Sequence, residues 1–270
     1  MKKLVDRYRY SVILLKQLVK TDFKIRYQNS FLGYLWTLLR PLFLFAILYL
    51  VFVKILHAGK GIPHFGVYLL LGIVIWNYFV EVTTNSLGSI VNKGDMMRKV
   101  NFPRYVIVLA ASVSALINLF FNLIVVVIFM LIVRTEVSAT VIFFPLLILE
   151  LFTFSLAVGF LLSALYVKFR DIGFIWEVLV QAAFFAIPIM YAYSFITDKS
   201  LALGKLFMCN PITQLMQEAR YMLITPQTDT IHSIFKSQWA VLIPVAIVLT
   251  TALIAVIYFK KQSPHFAEDV

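Results

Sequence analysis

Arg40, Glu81, Glu150 and Glu177 are ionisable side chains that lie within or at the ends of long apolar runs. In hydrocarbon a charge is expensive unless it is paired, hydrated or able to reach the interface, so such residues mark ligand contacts, ion paths or snorkelling side chains. Arg40 sits about two turns into its run and Glu177 near the start of another, where snorkelling accounts for both, whereas Glu81 and Glu150 lie deeper. A proton relay needs a chain of such groups, and none is evident. Uncharged polar residues recur nearby at helical spacing. Asn77, Glu81, Thr84, Asn85 and Gly88 form one stripe, Ser114, Asn118 and Asn122 a second, and Ser155, Gly159 and Ser163 a third. The third suits close packing of helices through small residues. The first two suit either interhelical hydrogen bonds or the wall of a wet pathway. Trp36 and Phe43 share a helical face with Gly33 and Arg40. That combination can stack on sugar rings, and it is also ordinary composition for an interfacial girdle.

Enzymatic signatures are missing. No G-x-x-x-x-G-K-[ST] phosphate loop occurs, so the chain has no evident means of holding ATP phosphates, and energy for any transport must come from a partner or an ion gradient. Nor does the sequence contain a G-x-S-x-G elbow, an H-E-x-x-H or a group of carboxylates able to hold a metal, which disfavours a membrane-embedded glycosyltransferase. Cys209 is the one cysteine, and His57, His64, His232 and His265 have no metal-ligand spacing.

The elements that position these residues are membrane spans. Six runs, at about 32–56, 65–91, 105–133, 140–167, 172–196 and 237–259, each reach the ~20 apolar residues that cross a bilayer. With 61% hydrophobic residues and a mean hydropathy of +0.91, the chain reads as an all-α polytopic membrane protein rather than a soluble fold. Lys and Arg concentrate in alternate connections, sixteen in residues 1–31, 92–104, 168–171 and 260–270 against seven in the others, which predicts both termini in the cytoplasm. The net charge of +11 then reflects topology and attraction to anionic lipid headgroups, not nucleic-acid binding. No cleavable signal is recognisable ahead of the first run, so that span is expected to be retained.

Three connecting segments carry more than a turn requires. Before the first span, Val12, Leu15, Val19 and Phe23 fall on one arc and Lys16, Lys20 and Lys24 on another, with Ile13 and Asp22 breaking the pattern. This predicts an amphipathic surface helix, either a lipid anchor or a docking surface. Residues 92–104, NKGDMMRKVNFPR, fit about two helical turns before Pro103, with Met96, Met97, Val100 and Phe102 available to contact a partner. Residues 197–236 are too polar for a full crossing and too apolar for a free loop, which suggests re-entrant helices between spans five and six or an interfacial cap. Within them Asn210 and Pro211 begin an amphipathic helix. Ile212, Leu215, Met216, Ala219, Met222 and Leu223 form its apolar side, and Gln214, Gln217, Glu218 and Arg220 are expected to face water or a closed channel mouth.

Taken together, KTDFKIRYQNSFLGYLWTLLRPL, KVNFPR, LYVKFRDI, PIMYAYSFI, NPITQLMQEAR and the tail HFAEDV occur in the order found in type-2 ABC permeases of the polysaccharide export class, transporters of O-antigen or wall teichoic acid. The chain resembles these along essentially its whole length. The resemblance implies the transmembrane subunit of an exporter for a polyprenyl-diphosphate-linked glycan in the bacterial inner membrane, not itself an enzyme. It implies a homodimer bound to two copies of a separate ATPase that uses ATP and Mg. The domains implied are an interface helix at 1–31, a six-span domain at 32–260 and a cytoplasmic tail at 261–270. ATPase coupling is carried over to Arg26, Tyr27, Arg98, Lys99, Phe102, Arg104, Arg170 and Asp171. The substrate pathway falls to Gly33, Trp36, Arg40, Phe43, Asn77 and Glu81, and an outer gate to Asn210, Pro211, Gln217 and Arg220. Arg40 departs from the pattern, in which an uncharged residue precedes the proline. An exporter of drugs or lipids and an ion-coupled flippase are the competing transport readings. A dimer also has a physical motive: six helices filled with Leu, Val and Phe leave little perimeter for a wide hydrated path, and a twofold axis doubles the wall.

Overall fold

The computed structural model describes residues 2–27, 32–55, 61–99 and 102–266, with side chains from position 9 to 25 in the first stretch. Among the described residues there are helices and turns and no strand.

The first helix, α1 (Lys2–Tyr27), lies against the start of α5 (Tyr105–Val133). Leu18 is buried with Val106 and Ala110, flanked by Leu14, Leu15, Val19 and Met96. The packing edge is therefore turned from the expected arc, and Val12 is exposed. Asp22, an interruption in the apolar pattern, forms an ion pair with Lys93 at 3.2 Å. Gly33 adopts a left-handed conformation (φ +48°) that favours glycine and begins the tight turn into α2 (Trp36–Leu48). Pro41 lies inside α2, and the helix continues as a wider π-type segment over Tyr49–Ile55.

α3 (Phe65–Leu87) is the hub, packing against α2, α5, α6 (Phe144–Lys168), α7 (Ile172–Ala186) and α10 (Pro211–Leu223). In its most apolar stretch 78% of residues are buried, against 6% in the first span, so α3 is shielded by protein and α2 presents most of its surface outward. The small-residue stripe of α6 performs the predicted close packing. Ser155, Gly159 and Ser163 are buried, and a Cβ on Gly159 would lie 2.7 Å from Ser86 Oγ of α3.

Among the described residues five helical segments are long and apolar enough to cross a membrane: Gly33–Ile55, Phe65–Leu87, Tyr105–Val133, Ala139–Lys168 and Gln238–His265. The last contains α12 (Leu242–Gln262), which packs along α6. The fifth predicted run is shorter as a helix than its apolar length suggested. α7 has 15 residues, about 22 Å at 1.5 Å per residue against a hydrocarbon core of about 30 Å. Pro188 disfavours helical geometry in the residue before it, and Ile187 is accordingly extended (φ −74°, ψ 138°).

The bundle has two contrasting ends. At one, Ile90, Met97, Phe102, Ile107, Val167, Phe259 and Phe266 form a cluster that gathers α4 (Gly94–Lys99), the end of α6 and the end of α12 beside α1. At the other, α8 (Ser194–Thr197), α9 (Leu201–Met208), α10 and α11 (Ile231–Phe235) form a cap. The turn between α5 and α6 is tied to this cap through Ser138 N–H to Met222 O at 2.9 Å and Thr135 Oγ1 to Leu223 O at 3.1 Å.

Candidate functional site

The two polar stripes of α3 and α5 meet. Asn118 Nδ2 donates to Glu81 Oε1 at 2.7 Å, and Asn122 Nδ2 donates to Asn118 O at 2.8 Å and to Thr37 O of α2 at 3.3 Å. Beside these bonds a cavity of about 540 Å³ opens between α2, α3 and α5, lined by Trp36, Arg40, Asn77, Glu81, Thr84, Asn85, Asn118 and Asn122 among others. Interhelical bonding and a polar wall, the alternatives left open by spacing, therefore coexist. Arg40 is exposed at this wall rather than enclosed by protein. Gly33 lines an adjoining apolar hollow with Tyr34, Leu38 and Phe121, and Phe43 is exposed elsewhere on α2, off the polar cavity.

The residues matched to coupling lie at the opposite end from the cap. Arg98 and Lys99 are exposed in the last turn of α4, where cations complement the helix dipole. Phe102 is buried in the cluster beneath them, and Arg104 Nη1 donates to Ser263 O, joining this segment to the end of α12. In the turn after α6, Arg170 is exposed with its guanidinium 5.3 Å from the Tyr166 ring centre, and Asp171 is exposed beside it. Arg26 and Tyr27 fall in the last turn of α1, with side chains outside the described residues.

The residues matched to the outer gate meet in the cap, in an arrangement that amphipathic spacing did not anticipate. Asn210 caps α10 by accepting from Ile212 N–H at 2.9 Å, and Pro211 takes the first helical position, where a missing N–H costs nothing. The polar side of α10 does not face water. Gln214, Gln217, Glu218 and Arg220 are all buried, because α3, α6 and α12 pack on the helix while α9 and α11 also contact it.

Arg220, fully buried, is satisfied from several directions. Its Nε donates to Tyr68 O at 3.2 Å, Nη1 to Pro188 O at 2.7 Å and to Gln217 Oε1 at 2.9 Å, and Nη2 to Ile189 O at 2.9 Å. The guanidinium also lies 3.5 Å from the Tyr68 ring centre, within cation–π range. The carbonyls of Pro188 and Ile189 need such a donor because the chain has just left helical geometry, and buried carbonyls left unpaired are costly. Gln217 completes the knot by accepting from Tyr68 O–H at 3.2 Å and donating to Asp229 O at 3.3 Å. Gly72 supplies the space, since a Cβ there would lie 2.5 Å from Arg220 Nη2. Sequence reasoning missed Tyr68 and Gly72. The available signal was Pro188, whose interruption of an apolar run frees carbonyls that a cation must cover. Glu218 also contributes inside the cap, accepting from Ile231 N–H at 3.3 Å; burial raises its carboxyl above the ordinary value, opposed by that hydrogen bond and by His232.

Comparison with known proteins agrees with this architecture. The family described as ABC-2 type transporter matches residues 13–224. The chain is 29% identical to the O-antigen export system permease protein RfbA of Myxococcus xanthus over 98% of each chain. It is 31% identical to a protein of the same name from Klebsiella pneumoniae, over 70% of this chain and 73% of that one. A multi-pass helical bundle with this match over most of its length belongs to the ABC-2 type transporter family.

Proposed function

We propose that the chain is the transmembrane subunit of an ATP-driven exporter of O-antigen, carried as a polyprenyl-diphosphate-linked polysaccharide across the bacterial inner membrane. The observation that carries this reading is the similarity to O-antigen export permeases, which for one relative extends over 98% of both chains. Teichoic acid becomes the lesser alternative, since the relatives are named for O-antigen.

Two copies pair, each bound to one copy of a separate ATPase that holds ATP and Mg. The basic end of the bundle faces the cytoplasm with both termini, as the Lys and Arg asymmetry favours. Residues 1–31 serve as the interface helix, 32–260 as the transmembrane domain and 261–270 as the tail. Coupling falls to Arg26, Tyr27, Arg98, Lys99, Phe102, Arg104, Arg170 and Asp171. In support, Arg98, Lys99, Arg170 and Asp171 are exposed, while Phe102 and Arg104 tie α4 to the bundle and can pass on a push.

The substrate pathway runs along Gly33, Trp36, Arg40, Phe43, Asn77 and Glu81. Carboxamides, a carboxylate, a guanidinium and an indole offer the mixture of donors, acceptors and ring faces that a hydroxyl-rich chain requires. Asn210, Pro211, Gln217 and Arg220 belong to the outer gate, with the Arg220 knot as the latch of its closed position. The test is reconstitution with a partner ATPase. ATP-dependent movement of lipid-linked glycan, together with loss of surface glycan and unchanged drug efflux on depletion, is the expected result. Unchanged surface glycan with altered drug efflux would favour the drug exporter, and transport abolished by an ionophore without the ATPase would favour the ion-coupled flippase.

A further inference from the structure

Pro41 leaves one carbonyl of α2 without its ordinary partner. An α-helix pairs each C=O with the N–H four residues on, and a proline at 41 has no N–H, so the carbonyl of Thr37 loses its donor within the helix. In a spanning segment such a carbonyl must be covered by protein or water, because hydrocarbon offers no donor. Here the cover comes from another helix. Asn122 of α5 donates from Nδ2 to Thr37 O at 3.3 Å, and the same nitrogen donates to Asn118 O at 2.8 Å. Both acceptors are main-chain carbonyls, so only the nitrogen end of the carboxamide can face them, which fixes the orientation of the side chain.

The two bonds are unequal. Asn118 O lies inside the unbroken helix of α5, where the main-chain N–H of Asn122 also reaches it, whereas Thr37 O has lost the corresponding bond. The tie to Thr37 has little competition for control of α2, since only 6% of residues are buried in the most apolar stretch of that span. Thr37 and Pro41 line the polar cavity together with Trp36 and Arg40 of the same helix. One turn earlier on α5, Asn118 donates to Glu81 Oε1 of α3 at 2.7 Å. Successive asparagines of α5 thus hold α2 and α3, the two helices that carry Arg40 and Glu81.

We infer that Asn122 is a positioning residue for glycan passage: it stands in for the N–H that Pro41 lacks, and by holding Thr37 O it sets where Trp36 and Arg40 stand on the cavity wall relative to Glu81. The inference rests on the proposed assignment of that wall to the substrate pathway, in which neither Asn122 nor Pro41 was given a part. The bond itself is testable apart from that assignment. Replacing proline by alanine at 41 restores the missing N–H, so Thr37 O then has a donor whether or not Asn122 is present.

The test is a double-substitution cycle at positions 122 and 41 of the full chain, read by thermal midpoint in nanodiscs and by glycan export per folded molecule in proteoliposomes with a partner ATPase. Asn122→Leu should lower the midpoint by about 3 °C in the wild-type background and by less than about 1 °C in the Pro41→Ala background. Asn122→Asp keeps the side chain's shape and removes its donors, so the cycle closes with either substitution. Equal shifts in the two backgrounds would overturn the inference. Export by Asn122→Leu should fall about fivefold, and adding Arg40→Gln should then cost less than it does alone, because Arg40 is already out of place. Losses that simply multiply would overturn the positioning role. Wild-type export by Asn122→Leu beside slowed export by Arg40→Gln would overturn it too and leave the pathway standing, whereas wild-type export by both would overturn both.

Discussion

Arg40 and Arg220 are both arginines set among apolar residues, and the structure treats them in opposite ways. Arg220 is sealed inside the cap, with three main-chain carbonyls, a carboxamide and an aromatic ring around one guanidinium. Arg40 lies exposed on the wall of a cavity rich in carboxamides. A cation surrounded by fixed acceptors is an anchor, because moving it would break several charge-assisted bonds at once. A cation at an open polar wall is available to a passing ligand. The contrast separates a residue fixed by its protein partners from one open to a ligand, on the wall to which the proposed substrate pathway is assigned.

The largest effect expected from testing this contrast is on folding. Arg220→Ala should destabilise the protein by about 3–5 kcal/mol, because it strips buried carbonyls of their donors and opens a void. Detergent-solubilised variant followed by size-exclusion after heating should show most of the protein lost well below the wild-type midpoint, and a wild-type midpoint would dissolve the anchor. Arg220→Lys keeps the charge but not the planar fork, so it should recover only part of that stability. If the knot is also the gate latch, the same variant should pass a small dye through proteoliposomes without nucleotide, whereas a tight variant would leave the knot purely structural. Gly72→Ala should cost about 1–3 kcal/mol, since its new Cβ would strike Arg220 Nη2. A cost as large as that of Arg220→Ala would mean that the guanidinium had been displaced altogether.

The partition of roles was only partly legible in the sequence. Hydropathy and the small-residue stripe at Ser155, Gly159 and Ser163 identified spans and a packing face, because burial in hydrocarbon and helix contact both act through local spacing. The polar stripe containing Glu81 was likewise found, but its junction with Asn118 needed the relative rotation of α3 and α5. The shortened α7 was readable only at Pro188, and that proline signalled that freed carbonyls need a donor without saying that Arg220 supplies it. Its partners, Tyr68 and Pro188, are 152 and 32 positions away, and the amphipathic pattern of α10 pointed its polar side to water or a closed channel mouth. Periodicity reports that a helix has two sides and says nothing about whether both are covered.

Smaller effects are expected at the basic end of the bundle. Lys99→Glu and Arg170→Glu should leave melting within about 0.5 kcal/mol of wild type, as both residues are exposed, yet reduce ATPase stimulation and export. Unchanged coupling in both variants would remove α4 and the turn after α6 from the ATPase interface. Smallest of all, breaking the half-exposed Lys93–Asp22 pair by Asp22→Asn should alter stability by at most about 1 kcal/mol. A larger loss would mean that α1 is held to the bundle by charge rather than by Leu18 and its neighbours.

The most direct test of the division between anchor and pathway measures glycan export per folded molecule alongside thermal stability, in proteoliposomes containing the partner ATPase, for Arg40→Gln and Glu81→Gln. Both variants are expected to melt within a few degrees of wild type while export falls about tenfold, the equivalent of about 1.4 kcal/mol in an interaction made during transport. Wild-type export rates in both variants would contradict the assignment of this cavity to the substrate pathway.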